Sequence, residues 1–155
     1  MGERKKIGFI ASSGGHLEEI SRLKSVAEGA DSFLLTEKSD FKVKNFCDDI
    51  FFVSQMNRRQ ILFIPKFIWL FIYAIYFLNR ERPDFIVTTG ALIAYPFCVV
   101  GRFFGAKIIY VESFARVKSP SLTGRLLYNF ADLFVVQWED MLKKYPKSVL
   151  GGGIF

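Results

Sequence analysis

The single histidine of this 155-residue chain, His16, follows Ser12, Ser13, Gly14 and Gly15 at the join between an apolar run (KIGFIA, 6–11) and a helix-like stretch from Leu17. These residue types at such a join suit an anion. Two glycines let backbone approach a ligand closely, and two serines can cap the helix. The helix N-terminus presents unpaired amides with a partial positive charge. An imidazole, titrating near neutrality, adds a group that takes or gives a proton. A lone histidine is more often structural; its place on a glycine-rich strand-to-helix turn is what points to chemistry.

Two further polar clusters follow apolar runs: Thr88-Thr89-Gly90-Ala91 and Glu112-Ser113-Phe114-Ala115-Arg116. Each also reads as an ordinary cap or turn, although a charged pair at a strand exit calls for a reason. Strands are expected at 6–11, 32–36, 50–54, 84–89, 107–112 and 133–137, all apolar on both faces, as buried parallel strands are. Helices are expected at 17–28, 61–79, 95–104, 122–130 and 139–144, with 41–49 a loop or short helix. This alternation implies an α/β, Rossmann-like, doubly wound parallel sheet, in which ligands bind beyond the carboxyl ends of the strands. All three clusters fall at such ends, within reach of one crevice. Residues 1–155 form one domain, with no repeat, low-complexity tract or linker.

The composition is unusually apolar for a small domain, with 51% hydrophobic residues, 18 Phe and a mean hydropathy of +0.25. Lysine and arginine outnumber aspartate and glutamate by 21 to 15, a net charge of +6. A basic, apolar protein suits an anionic membrane face. Nucleic acid is disfavoured, because the basic residues are scattered and follow no binding motif. Cys47 and Cys98 form no CxxC pair, and neither a metal site nor a disulfide framework is expected. The N-terminal apolar run is too brief for a secretory signal, which places the protein in the cytoplasm or on its membrane.

Segment 61–78 (ILFIPKFIWLFIYAIYFL) carries one charge, Lys66. As a helix it would be roughly 27 Å long, near the lower limit for crossing a bilayer. A spanning helix would place the next strand on the wrong side of the membrane. Arg58, Arg59 and Lys66 on one side and Arg80 and Arg82 on the other, with Trp69, Tyr73 and Tyr76 between, resemble an interfacial element with basic and aromatic anchors. The expectation is one face on the sheet and the other in lipid; simple core burial is the alternative.

Six blocks carry a family resemblance: Ser-Ser-Gly-Gly-His-Leu-Glu-Glu at 12–19, Thr-Gly-Ala at 89–91, Glu-Ser-Phe-Ala-Arg-Val at 112–117, Ser-Leu-Thr-Gly at 121–124, Val-Gln-Trp-Glu at 136–139 and Gly-Gly-Gly-Ile-Phe at 151–155. Together they resemble the membrane-associated subunit of the two-part N-acetylglucosaminyltransferase of dolichol-linked oligosaccharide assembly, with its bacterial capsular and exopolysaccharide relatives. The resemblance implies the N-terminal, acceptor-side half of a GT-B glycosyltransferase, inactive alone. A separate partner subunit would hold a UDP-sugar donor, the acceptor would be linked to a polyprenyl diphosphate, and no cofactor or metal is implied. No N-terminal membrane-spanning helix of the eukaryotic kind is visible, which leaves 61–78 to bind the cytoplasmic face of the membrane and favours a bacterial or archaeal type.

Residue roles follow from the same resemblance. His16 is the expected base or acceptor-orienting group, with Glu112 as the other candidate. Amides of Gly14, Gly15 and His16, helped by Ser12 and Ser13, would hold the acceptor diphosphate or face the donor phosphates; Thr89 and Gly90 line the same crevice. Arg116 either contacts substrate or pairs with Glu112, and Ser121 and Thr123 either bind substrate or cap a helix. Gly152, Gly153, Ile154 and Phe155 are expected to help bind the partner, the alternative being a frayed terminus. Two rivals stand beside this reading. A dinucleotide-binding oxidoreductase would use Glu37 on a ribose, but the third glycine is missing and Glu18 and Glu19 stand where a pyrophosphate would lie. A non-catalytic membrane scaffold would recruit a complete enzyme.

Overall fold

Runs of apolar residues become strands, buried at the centre of the sheet and more exposed at its edges. In the computed structural model, which describes residues 4–39, 43, 45–57 and 59–155, these are β1 (Lys6–Ala11), β2 (Asp31–Glu37), β3 (Asp49–Val53), β4 (Phe85–Thr88), β5 (Lys107–Val111), β6 (Leu133–Val136) and β7 (Val149–Leu150). They form one parallel sheet in the order β3-β2-β1-β4-β5-β6-β7. Phe9 of β1 stands between Leu34 of β2 and Val87 of β4. The direction of winding therefore reverses between β1 and β4, whose carboxyl ends splay into a crevice.

Helices α1 (Gly15–Ser21) and α2 (Lys24–Glu28) cover one face, where Leu17, Ile20 and Ala27 pack on Phe9, Ala11, Leu34 and Val87. Helices α3 (Phe63–Glu81), α4 (Ala94–Phe103), α5 (Leu122–Leu127) and α6 (Glu139–Leu142) take the other, as right-handed crossovers require. There Leu70, Ala74, Phe77 and Leu78 of α3 join Phe97 and Cys98 of α4 on Ile10, Phe33, Ile86 and Ile108. Their i, i+4, i+7, i+8 spacing is one helical stripe. The opposite face of α3 is bare: Ile64, Ile68, Trp69, Ile72, Ile75 and Tyr76 are all more than half exposed. At 19 residues α3 is long and apolar enough to cross a membrane. It lies along the sheet instead, because its two ends feed strands of that same sheet.

The structure departs from expectation at element ends. The single helix expected at 17–28 is broken: Arg22 and Leu23 turn back tightly on Glu19 and Ile20, which lets Leu23 reach the core beside α2. The helix expected at 122–130 stops at Leu127. A seventh strand that was not expected, β7, precedes the C-terminal glycines, with Val149 opposite Val135 and Leu150 opposite Val136.

Candidate functional site

The crevice is built from three strand exits. After β1 the chain turns through Gly14 (φ 86°), and after β4 through Gly90 (φ 109°) and Ala91 (φ 75°), backbone that β-carbons disfavour. His16, in the first turn of α1, sits against Gly90; a β-carbon on Gly90 would lie 3.3 Å from His16 Cε1 and 3.0 Å from Tyr110 Oη. Thr89 Oγ1 donates to the His16 carbonyl at 3.0 Å, so the two turns are tied together. Thr88 acts locally, its hydroxyl accepting from the Gly90 amide at 3.0 Å. Ser12 and Ser13 stand in the turn but do not cap α1: Gly14 occupies the N-cap position, with no side-chain cap bond.

Burial lowers the His16 pKa; the Thr89 backbone and the Glu112 charge oppose that shift, and Arg116 adds to it. The ring is therefore neutral at neutral pH, as a base must be. Its buried Nδ1 has no hydrogen-bond partner among the described residues. A cavity of about 280 Å³ opens beside it, lined by Ala91, Ser113, Arg116, Ser121 and Thr123 among others. Arg116, one of the lining residues, is exposed, and no ion pair joins it to Glu112 among the described residues.

Glu112 is 1% exposed. Its Oε1 accepts from Tyr110 Oη at 3.3 Å and the Ser113 amide at 3.1 Å, and its Oε2 from the Ser121 amide at 3.2 Å and Tyr145 Oη at 3.1 Å. With four donors satisfied, this carboxylate organises the loop between β5 and α5. Ser121 caps α5 by accepting from the Gly124 amide at 2.9 Å, and its hydroxyl lies 3.0 Å from Tyr110 Oη. Thr123, 3% exposed, lies in the first turn of the same helix.

Sequence reasoning missed Glu19. It is 4% exposed, and its Oε1 accepts from Ser113 Oγ at 3.0 Å and the Phe114 amide at 2.8 Å, clamping α1 to the loop after β5. Burial raises its pKa against those two bonds, with Glu112 adding to the rise. A second carboxylate, Glu37, is held by the Met56 amide at 2.8 Å and by the Ser13 backbone; burial raises its pKa too. The side chain proposed for a ribose is thus committed to its own chain.

The C-terminal residues fold back over this end of the sheet. The Ile154 amide donates to Gln137 Oε1 at 2.9 Å, while Gln137 Nε2 donates to the Glu112 carbonyl at 3.0 Å. Phe155 meets the Phe114 ring edge-on at 5.2 Å, and the Arg22 guanidinium lies 5.3 Å from its centre. Gly153 packs under Phe114, and Gly152 takes a positive φ of 74°. Beneath them an apolar cavity of about 290 Å³ is lined by Leu23, Val87, Ile109, Val111 and Val135. Of the expected membrane residues, Arg59 is exposed, Lys66 and Tyr73 are half-buried, Trp69 stacks on Tyr73 at 5.3 Å, and Arg58 lies outside the described residues.

The family described as "Oligosaccharide biosynthesis protein Alg14 like" matches residues 53–154, well over half of the chain. The chain belongs to this Alg14-like family. One relative, the "UDP-N-acetylglucosamine transferase subunit ALG14" of Rattus norvegicus, is 30% identical over 97% of this chain and 84% of its own length. Among solved structures, Acinetobacter baumannii MurG superposes with a TM-score of 0.72 at 16% identity over 88% of this chain. A UDP-N-acetylglucosamine 2-epimerase from Rickettsia bellii gives 0.72 at 11% identity over 93%. At such identities these two speak to the fold alone, the Rossmann-like α/β lobe of the GT-B kind. The Alg14-like chain spans 42% of each of those proteins, the share that one of two lobes would take.

Proposed function

We propose that this chain is the acceptor-side subunit of a two-chain glycosyltransferase that moves N-acetylglucosamine from UDP to a polyprenyl-diphosphate-linked acceptor. The observation that carries the reading is His16, its pKa lowered by burial, lining a cavity beside Arg116 at the switch point of a single Alg14-like lobe. His16 takes the proton from the acceptor hydroxyl as the oxygen bonds to the anomeric carbon, and the bond to UDP breaks with its electron pair leaving on the diphosphate. Amides of Gly14 and Gly15 hold the acceptor diphosphate, and Arg116 supplies charge-assisted contacts. Glu112 and Glu19 set the position of the loop that carries Arg116.

A donor-binding partner closes the crevice and docks on residues 152–155 and the apolar cavity beneath them, whose lining is an unfilled stretch of sheet face. The bare face of α3 rests on the cytoplasmic leaflet. Capsular or exopolysaccharide assembly is one setting for this chemistry. The test is a transfer assay on vesicles with the chain and its donor-binding partner co-expressed. His16→Ala should lower turnover by about 10²–10⁴-fold, the usual share of a general base, with partner and vesicle binding retained. Unchanged turnover removes the assignment, and full activity of either chain alone overturns the split-enzyme reading.

A further inference from the structure

A second cavity, of about 260 Å³, lies apart from the histidine pocket, between the segment after β3 and the first half of α3. Its lining is Ser54, Met56, Lys66, Trp69 and Leu70. Nothing in the proton transfer uses it. The floor is Leu70, 2% exposed, and the rim is Trp69, 53% exposed. Lys66 contributes its stem, with the ammonium drawn aside to Gln60 Oε1 at 2.9 Å. A thioether, an indole and an aliphatic floor around one cation suit an apolar chain.

Two features say which chain. The rim is continuous with the bare face of α3, where Ile68 and Ile72 are 56% and 61% exposed, so an apolar ligand reaches the groove from lipid without crossing water. At the inner end, one carboxylate, Glu37, holds both the Met56 amide of the groove wall and the backbone of Ser13 in the glycine turn. Strands β3 and β1 are separated only by β2, so they stand two strand spacings, about 10 Å, apart. That is a span of a few isoprene units.

We infer that this groove holds the isoprene units nearest the diphosphate of the acceptor, threading it from the membrane to the 13–15 turn. The inference rests on the acceptor proposed above. The experiment uses the full chain on vesicles with a short prenyl diphosphate that carries a diazirine on its second isoprene unit. After irradiation the label should map to residues 54–56 and 66–70. Excess unlabelled prenyl diphosphate should compete with it, and neither inorganic diphosphate nor added phospholipid should. Ser54→Trp, at an exposed position, fills the groove. It should cut labelling at least about tenfold, the loss of a few buried methylenes, with vesicle binding unchanged. Trp69→Ala, which removes the rim, should cut labelling too, with some loss of vesicle binding because Trp69 also belongs to the bare face of α3.

Label confined to other segments, label indifferent to both substitutions, or equal competition by phospholipid acyl chains overturns the inference. Sugar transfer by the co-expressed pair without groove labelling overturns the groove and leaves the enzyme. Groove labelling without transfer supports the groove and sinks the enzymatic reading.

Discussion

Burial shifts the pKa values of two groups at the crevice, His16 and Glu19, in opposite directions. His16 has its pKa held below the ordinary 6.5, chiefly by desolvation. Between the lowered value and 6.5 the unfolded chain binds more protons than the folded one, so stability rises with pH there and is lost as pH falls below 6.5. His16→Gln should flatten that slope in thermal melts; an unchanged slope would place the ring in water. Glu19 has the opposite sign, because its pKa is raised above 4.5 by burial. The folded state holds its proton longer, and stability declines as pH rises from 4.5 through the raised value. Glu19→Ala strands the Ser113 hydroxyl and the Phe114 amide and should cost about 1.5–3 kcal/mol in denaturant melts, whereas Glu19→Gln keeps both bonds and should flatten the pH dependence. His16 was legible from sequence because glycines and serines surround it. Glu19 was not, since its partners lie 94 and 95 residues away and a helical glutamate reads as solvent-facing.

Elements hold these residues in register by close approach at glycines. A β-carbon on Gly124 would run into Glu112 Oε2 and come within 2.9 Å of Ser121 Oγ, so the first turn of α5 lies directly on the buried carboxylate. Gly124→Ala should destabilise by about 1–3 kcal/mol, the usual cost of overpacking, and should weaken acceptor binding more than a change of equal cost elsewhere. Gly101→Ala, which meets Ile86 Cδ1 where α4 crosses β4, is the control of similar strain far from the cavity. Equal effects of the two on acceptor KM would show that α5 only packs. Six of the seven strands were legible, because each is a largely apolar run between turn-forming or polar residues. β7 was not: Val149 and Leu150 sit between a serine and three glycines, and only pairing with β6 makes them a strand. The break at Arg22 and Leu23 was hidden as well, because those two residues carry good helix propensity and packing overrides it.

At the scale of the molecule, the carboxyl end of the sheet gathers the crevice, the folded-back tail and the mouth of the α3 groove, while one flank of α3 stays bare. That bare flank was legible as an apolar run with basic ends; which residues face outward became visible only once Leu70, Ala74, Phe77 and Leu78 were seen to pack inward. A helix stripped of water on one side and apolar on the other cannot gain more from the core, so its outer residues suit the lipid leaflet proposed above as a further apolar phase. Ile68→Asp with Ile72→Asp should leave thermal stability nearly unchanged, both positions being more than half exposed. Each apolar side chain withdrawn from lipid forfeits about 1.5–3 kcal/mol, so partition onto anionic vesicles in a flotation assay should fall by roughly a hundredfold or more. Raising salt should weaken binding of the unaltered chain only in part, by the share that Arg59, Lys66, Arg80 and Arg82 contribute through the surface potential. Binding that survives both the double substitution and high salt would mean that some other surface meets the membrane, and the groove beside Trp69 would then open onto water.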